Sequence, residues 1–142
     1  MKWLLVFFVL VIALSCSKEK SIDRKLDGTW QVTMVRIENG EGFIFDDSLP
    51  KGELLFDVEN NAVTGQVNFN YSTSSLSVCQ DSLSMSSFAY QLDTELGRFY
   101  AGKNGLTYDF RIIVLTRTDL QIEYYDIQTY QLKRFIFKKT ED

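Results

Sequence analysis

Few side chains in this sequence can carry chemistry. Its 142 residues include no histidine, two cysteines and one proline. Without an imidazole neither a Ser-His-Asp nor a Cys-His nucleophile can be assembled, and the usual zinc ligands are missing. Acid–base work would fall to carboxylates alone. Asp46 and Asp47 are adjacent and Asp57 lies two places before Glu59, but neither spacing sets two carboxyls across one cleft, as glycoside hydrolysis needs. They read as solvated acids of loops and strand edges. The run from Asp57 begins like a calcium loop, yet its sixth place is Ala62 and its twelfth is Asn68, where such a loop needs glycine and glutamate. No glycine-rich phosphate loop or dinucleotide fingerprint occurs. The expectation is a non-enzymatic protein with no catalytic residue, no metal and no cofactor.

The two thiols differ in context. Cys16 ends an apolar run over residues 3–14 that follows Lys2. A membrane-spanning helix needs about 20 apolar residues, so this run reads as a cleaved leader. The segment Ala13-Leu14-Ser15-Cys16 resembles the lipobox of Gram-negative lipoproteins. The resemblance implies cleavage before Cys16, diacylglycerol on its sulfur, and a division into a signal peptide (1–15), a lipidated cysteine with a flexible tether (16–25) and a domain (26–142). In that family resemblance, serine directly after the cysteine goes with export to the outer membrane, which implies a lipid-anchored protein facing the periplasm or the cell surface. The alternative is a buried thiol behind an ordinary secretory leader. With Cys16 acylated, Cys79 has no disulfide partner in the chain. It reads as a small apolar residue at a strand end.

The chain carries 15 basic and 19 acidic residues, a formal net charge of −4, and loss of the leader, which holds only Lys2, makes it one unit more negative. That balance argues against a nucleic-acid footprint. Length and charge suit one domain with one core. The dominant pattern beyond the tether is period-two alternation of aromatic and β-branched residues, broken by Gly, Asn, Asp and Ser clusters. It predicts strands at 29–37, 53–58, 62–71, 75–78, 83–92, 106–115, 120–127 and 130–138, without an amphipathic helix. Asn60-Asn61 and the 102–105 segment are turn signals. A parity change near Ser86-Ser87 predicts a β-bulge, and Gly65 marks a bend or bulge. The fold class is all-β. An antiparallel up-and-down barrel of about eight strands disposes of the exposed edges.

Gly28-Thr29-Trp30, at the head of the first strand, resembles the Gly-x-Trp signature of lipocalins and their bacterial lipocalin-like relatives. The closing Arg134-Phe135-Ile136-Phe137-Lys138-Lys139 is similar to the last strand of small lipoproteins of that kind. The resemblance implies a basic residue late in the chain lying over Trp30. Arg134 is the first match and Lys138 the second, the alternative being a Trp30 that simply plugs one end beside a solvated Arg134. Residues 54–71 also resemble a segment of META-type domains, with Phe69 where those carry cysteine. Asp47-Ser48-Leu49 and Asp81-Ser82-Leu83 look like short O-glycosylation sites of exported bacterial proteins.

An eight-stranded barrel is either filled by its own side chains or holds one small ligand. In the first case the protein is an anchored interaction or envelope-maintenance module whose partner is an envelope protein. In the second it is a carrier, with Met34, Phe56, Phe69, Tyr90, Tyr108, Phe110 and Tyr124 lining a pocket for an apolar or amphipathic molecule.

Overall fold

A computed structural model describes residues 20–38, 43–44, 49–72 and 77–141. Nine strands follow one another: β1 (Gly28–Glu38), β2 (Phe43–Ile44), β3 (Lys51–Asp57), β4 (Ala62–Ser72), β5 (Val78–Asp93), β6 (Arg98–Lys103), β7 (Leu106–Leu115), β8 (Asp119–Asp126) and β9 (Gln131–Lys139). Each from β3 onward pairs with the next, and β1 pairs with both β3 and β9, so the sheet closes. The result is an antiparallel up-and-down barrel of eight strands, with the two-residue β2 added at the far end of β1. This is the architecture that the lipocalin resemblance implied.

Local chemistry explains the connections. Asn61 (φ 48°), Asn104 (φ 53°) and Gly105 (φ 83°) adopt the left-handed conformation that tight hairpins require. The predicted bulge is present. Thr64 of β4 faces both Ser86 and Ser87 of β5, Ser87 has φ 52°, and its amide donates to Thr64 Oγ1 at 3.1 Å. Leu83 and Met85 before it, and Phe88 and Tyr90 after it, therefore all face the interior.

Several expectations are corrected. β6 is a strand that periodicity did not reveal, since Arg98, Tyr100 and Gly102 interrupt the apolar signal of Phe99 and Ala101. The expected strand at 75–78 falls partly outside the described residues, and β5 begins at Val78. Within the segment expected as a tether, residues 20–26 form a short helix, with Ile22 packed on the core and Leu26 fully buried. Two apolar residues four places apart were enough to dock one helical turn, although the segment is too short to show a period.

The helix covers one end of the barrel. Trp30 Nε1–H donates to the Leu26 carbonyl at 2.7 Å, and the Val58 amide donates to Asp27 Oδ1 at 3.3 Å. Above this closed end Phe56, Phe99, Phe110, Phe135 and Phe137 are fully buried, each contributing about 1.5–3 kcal/mol of burial. Their rings meet edge-on or stacked, as in Phe56–Phe99 (5.6 Å) and Phe99–Phe110 (4.8 Å). Phe69 of β4 reaches Phe135 of β9 at 5.6 Å. The lower lumen is a packed core.

Candidate functional site

The opposite end is built differently. Here β7 and β8 share a ladder only from Arg111↔Glu123 to Leu115↔Leu120, so the first half of β7 pairs with β6 alone and the last residues of β8 with β9 alone. The two strands fork. A half-open cleft of about 900 Å³ occupies the fork, with Tyr108 and Tyr124 toward the lumen and Asp109, Arg111 and Tyr125 along the rim. Tyr108 and Tyr124 stand edge-to-face at 5.3 Å.

At the inner end of the cleft Lys133 is 1 % exposed. Its ammonium lies 2.5 Å from Asp81 Oδ2 of β5 and 2.6 Å from Asp126 Oδ2 of β8, and 5.9 Å from the centre of the Tyr124 ring. β5 and β9 are on opposite walls, so this ion bridge crosses the lumen. Burial works to lower the pKa of Lys133, but the hydrogen bonds it donates to Asp126 and Asp81 more than offset this and hold the ammonium above its ordinary pKa. Burial likewise works to raise Asp126, and Lys133 reverses that, leaving the carboxyl below its usual range. The phenols of Tyr108 and Tyr124 are pushed up, first by burial and then by the negative charge of Asp126 and, more weakly, Asp81. Gln131 sits beside Lys133 on the lumen face and opposite Asp126; its amide contacts Tyr71, and its Oε1 is buried without a hydrogen-bond partner among the described residues.

The outer wall of the fork is also charged. Glu123 is 2 % exposed, accepting from Arg134 Nε at 2.9 Å and Nη2 at 2.7 Å, and it is also paired with Arg111. Arg98 pairs with Asp109 at 2.8 Å.

Among the residues expected to line a pocket, only Tyr108 and Tyr124 border the cleft. Phe56 and Phe110 are fully buried within the packed lower lumen. Phe69 borders a smaller recess of about 420 Å³ beside Leu49, Lys51 and Asp81. Tyr90 lies lower, with its hydroxyl buried and without a hydrogen-bond partner among the described residues. Met34 is corrected: it is 40 % exposed, because Thr33 is an extra residue against β9 and reverses the facing of everything after Val32. Arg134 is corrected as well. The cation over Trp30 is Lys139, whose ammonium is 5.3 Å from the indole and also donates to the Lys25 carbonyl at 3.3 Å. Trp30 and Lys139 are register partners, whereas Arg134 and Lys138 have the opposite parity and point outward. A Cβ on Gly28 would lie 3.0 Å from Lys139 Cε, so the glycine of Gly-x-Trp leaves room for this lysine.

Lys133, Asp81, Asp126 and Gln131 were not expected from the sequence to meet at a binding cleft. The alternation Gln131, Lys133, Phe135, Phe137 carried a signal for two of them, because it aligns a lysine with core phenylalanines. The Asp81-Ser82-Leu83 segment is part of β5, with Asp81 committed to Lys133 and Leu83 buried. Cys16 and the Asp47-Ser48 pair lie outside the described residues.

No protein-family model matches the sequence, and no curated protein matches it. Among solved structures it is similar to bovine odorant-binding protein complexed with its natural ligand, at 17 % identity over 83 % of this chain and 73 % of that chain, with a TM-score of 0.40. The complex of the bovine protein with undecanal gives 18 % identity, the same two coverages and the same TM-score. The protein from bovine nasal mucosa gives 18 % identity and a TM-score of 0.39, again over 83 % of this chain and 73 % of that one.

Proposed function

We propose that this protein is a membrane-anchored binding barrel that takes one small amphipathic molecule in the fork between β7 and β8. The observation that carries this reading is the early end of the β7–β8 ladder, which leaves a cleft of about 900 Å³ at one end of an otherwise packed barrel. Specific sites are concave, with apolar walls and a few placed polar groups. Tyr108 and Tyr124 supply the first, and Lys133, Asp81 and Asp126 the second. Binding without catalysis is the role assigned. Cys16 carries the lipid in this reading and fixes the protein to the outer membrane.

A second reading has its own support. Leu49, Val78, Leu106, Tyr125, Ile127 and Tyr130 are all at least half exposed, and all lie at the open end. Such a rim fits an interaction module docking on an envelope protein. Native mass spectrometry of the full chain purified from its own envelope separates the two. A recurrent small-molecule adduct supports the carrier. Its absence across independent preparations, with a protein partner retained instead, supports the module.

A further inference from the structure

A closed barrel exposes backbone edges only where a ladder stops short, and here one stops inside the cleft. β7 and β8 pair from Leu115↔Leu120 up to Arg111↔Glu123 and no further. Just below that last pair Ile113 is an extra residue of β7, and a bulge of this kind bends its strand and ends pairing. Beyond it, residues 106–110 bond to β6 alone and residues 124–126 to β9 alone. Among the described residues no backbone hydrogen bond crosses between the two segments. Each therefore turns alternate peptide N–H and C=O groups into the half-open space of about 900 Å³ that separates them. Such groups repeat every second residue, about 7 Å apart. A compact amphiphile meets one of them at most, whereas an extended peptide meets the whole row, which is the basis of strand addition at an open sheet edge.

The walls of the fork suit the side chains of such a peptide. In an extended chain they alternate, so one set enters the lumen beside Tyr108 and Tyr124 while the other lies outside against Tyr125 and the Arg98–Asp109 ion pair. The Arg111↔Glu123 pair closes the inner end, so the free edge of β7, residues 106–110, limits the length of chain that can pair there. A second barrel is a poor occupant, because its own unpaired edges are recessed in its own cleft. A short free chain meets no such obstacle.

We infer that the molecule taken into the fork is a free peptide of about five residues, bound extended along residues 106–110 of β7, with apolar side chains turned to Tyr108 and Tyr124 and polar ones to the outer rim. This rests on the cleft being the binding site and names the class of its ligand.

The test uses the full chain, acetylated and amidated peptides in which valine alternates with threonine, and 2-phenylethanol as a compact amphiphile. Binding is followed by protein NMR shifts and by amide hydrogen exchange. The five-residue peptide is expected to bind at least about tenfold more tightly than 2-phenylethanol, and by a similar factor more tightly than its own version methylated at every peptide nitrogen, which keeps the side chains and loses the donors. It should slow exchange within residues 106–110. Affinity should rise from three residues to five and level off at seven. A methylated peptide that binds as tightly as its parent, or no added protection within residues 106–110, overturns the strand assignment and leaves the cleft as a binding site. Affinity that keeps climbing at seven residues overturns the short free peptide in favour of a longer segment. Protection of residues 106–110 that grows with protein concentration alone makes a second copy the occupant and overturns it too. Binding of 2-phenylethanol with the peptides inert overturns the peptide and keeps the cleft; if neither binds, the cleft reading falls as well.

Discussion

Glu123 faces outward on β8 and is nevertheless 2 % exposed, because Arg111 and Arg134 lie over it from the two neighbouring strands. Burial works to raise its pKa, and the hydrogen bonds from Arg134 and Arg111 outweigh burial, so the folded carboxyl ionises below its ordinary value. A depressed carboxylate contributes stability that is complete above its unfolded pKa and is lost as pH falls through the folded one. The urea midpoint of the native protein should therefore drop as pH falls below about 4, and Glu123→Gln should flatten that acid limb. At neutral pH the same substitution should cost about 1.5 kcal/mol, the low end for a charged hydrogen bond because Arg111 is half exposed and screened. Urea titrations from neutral to acid pH measure both effects. Side-chain facing is the residue-scale fact that the sequence hid: Arg134 and Lys139 are both basic residues on β9, and parity alone sends one to Glu123 and the other to Trp30.

Strands of this barrel approach closely where glycine permits it. Gly65 of β4 has φ +150°, and a Cβ there would come within 2.1 Å of the Glu53 carbonyl oxygen on β3. Backbone cannot yield as a flexible side chain does. Gly65→Ala should destabilise by at least about 2 kcal/mol, whereas Gly97→Ala, at φ +63° with open space around it, should cost about 1 kcal/mol from backbone conformation alone. Chemical denaturation of the two variants side by side checks the difference. The glycine and the bulge at Ser86-Ser87 were both legible, since each interrupts an otherwise regular alternation. The bulges at Thr33 and Ile113 were not. Thr33 and Ile113 are themselves good strand formers, and a bulge made of them leaves no mark in residue type.

In the proposed anchoring, the lipid and the cleft belong to opposite ends of the molecule. Leu26 and Trp30 mark the closed end, and the helix that covers it begins at residue 20. From Cys16 to that residue the chain spans at most about 14 Å when fully extended. A lipid on Cys16 would thus hold the closed end close to the bilayer and turn the fork away from it. In a Cys79→Ala background, a spin label at Glu59→Cys in the closed-end turn should be broadened by a nickel-chelating lipid far more than one at Thr129→Cys in the open-end turn. Equal broadening would remove this orientation. Cys16→Ser should accumulate as unprocessed precursor, and normal processing of that variant would remove the anchor itself.

Alternation of apolar and polar residues was enough by itself to specify an all-β chain, most of its strands, its hairpin turns and a core rich in aromatics, because a strand half-buried in a sheet requires that period wherever it lies. The Gly-x-Trp head was legible for the same local reason, as glycine and tryptophan are rare enough to mark their places. Which strands fail to pair was decided only in three dimensions. The fork between β7 and β8 and the lysine that bridges opposite walls both depend on residues far apart in the chain meeting across the lumen. Ladder ends and ion bridges are set by barrel closure, a constraint on all the strands together that no single segment records.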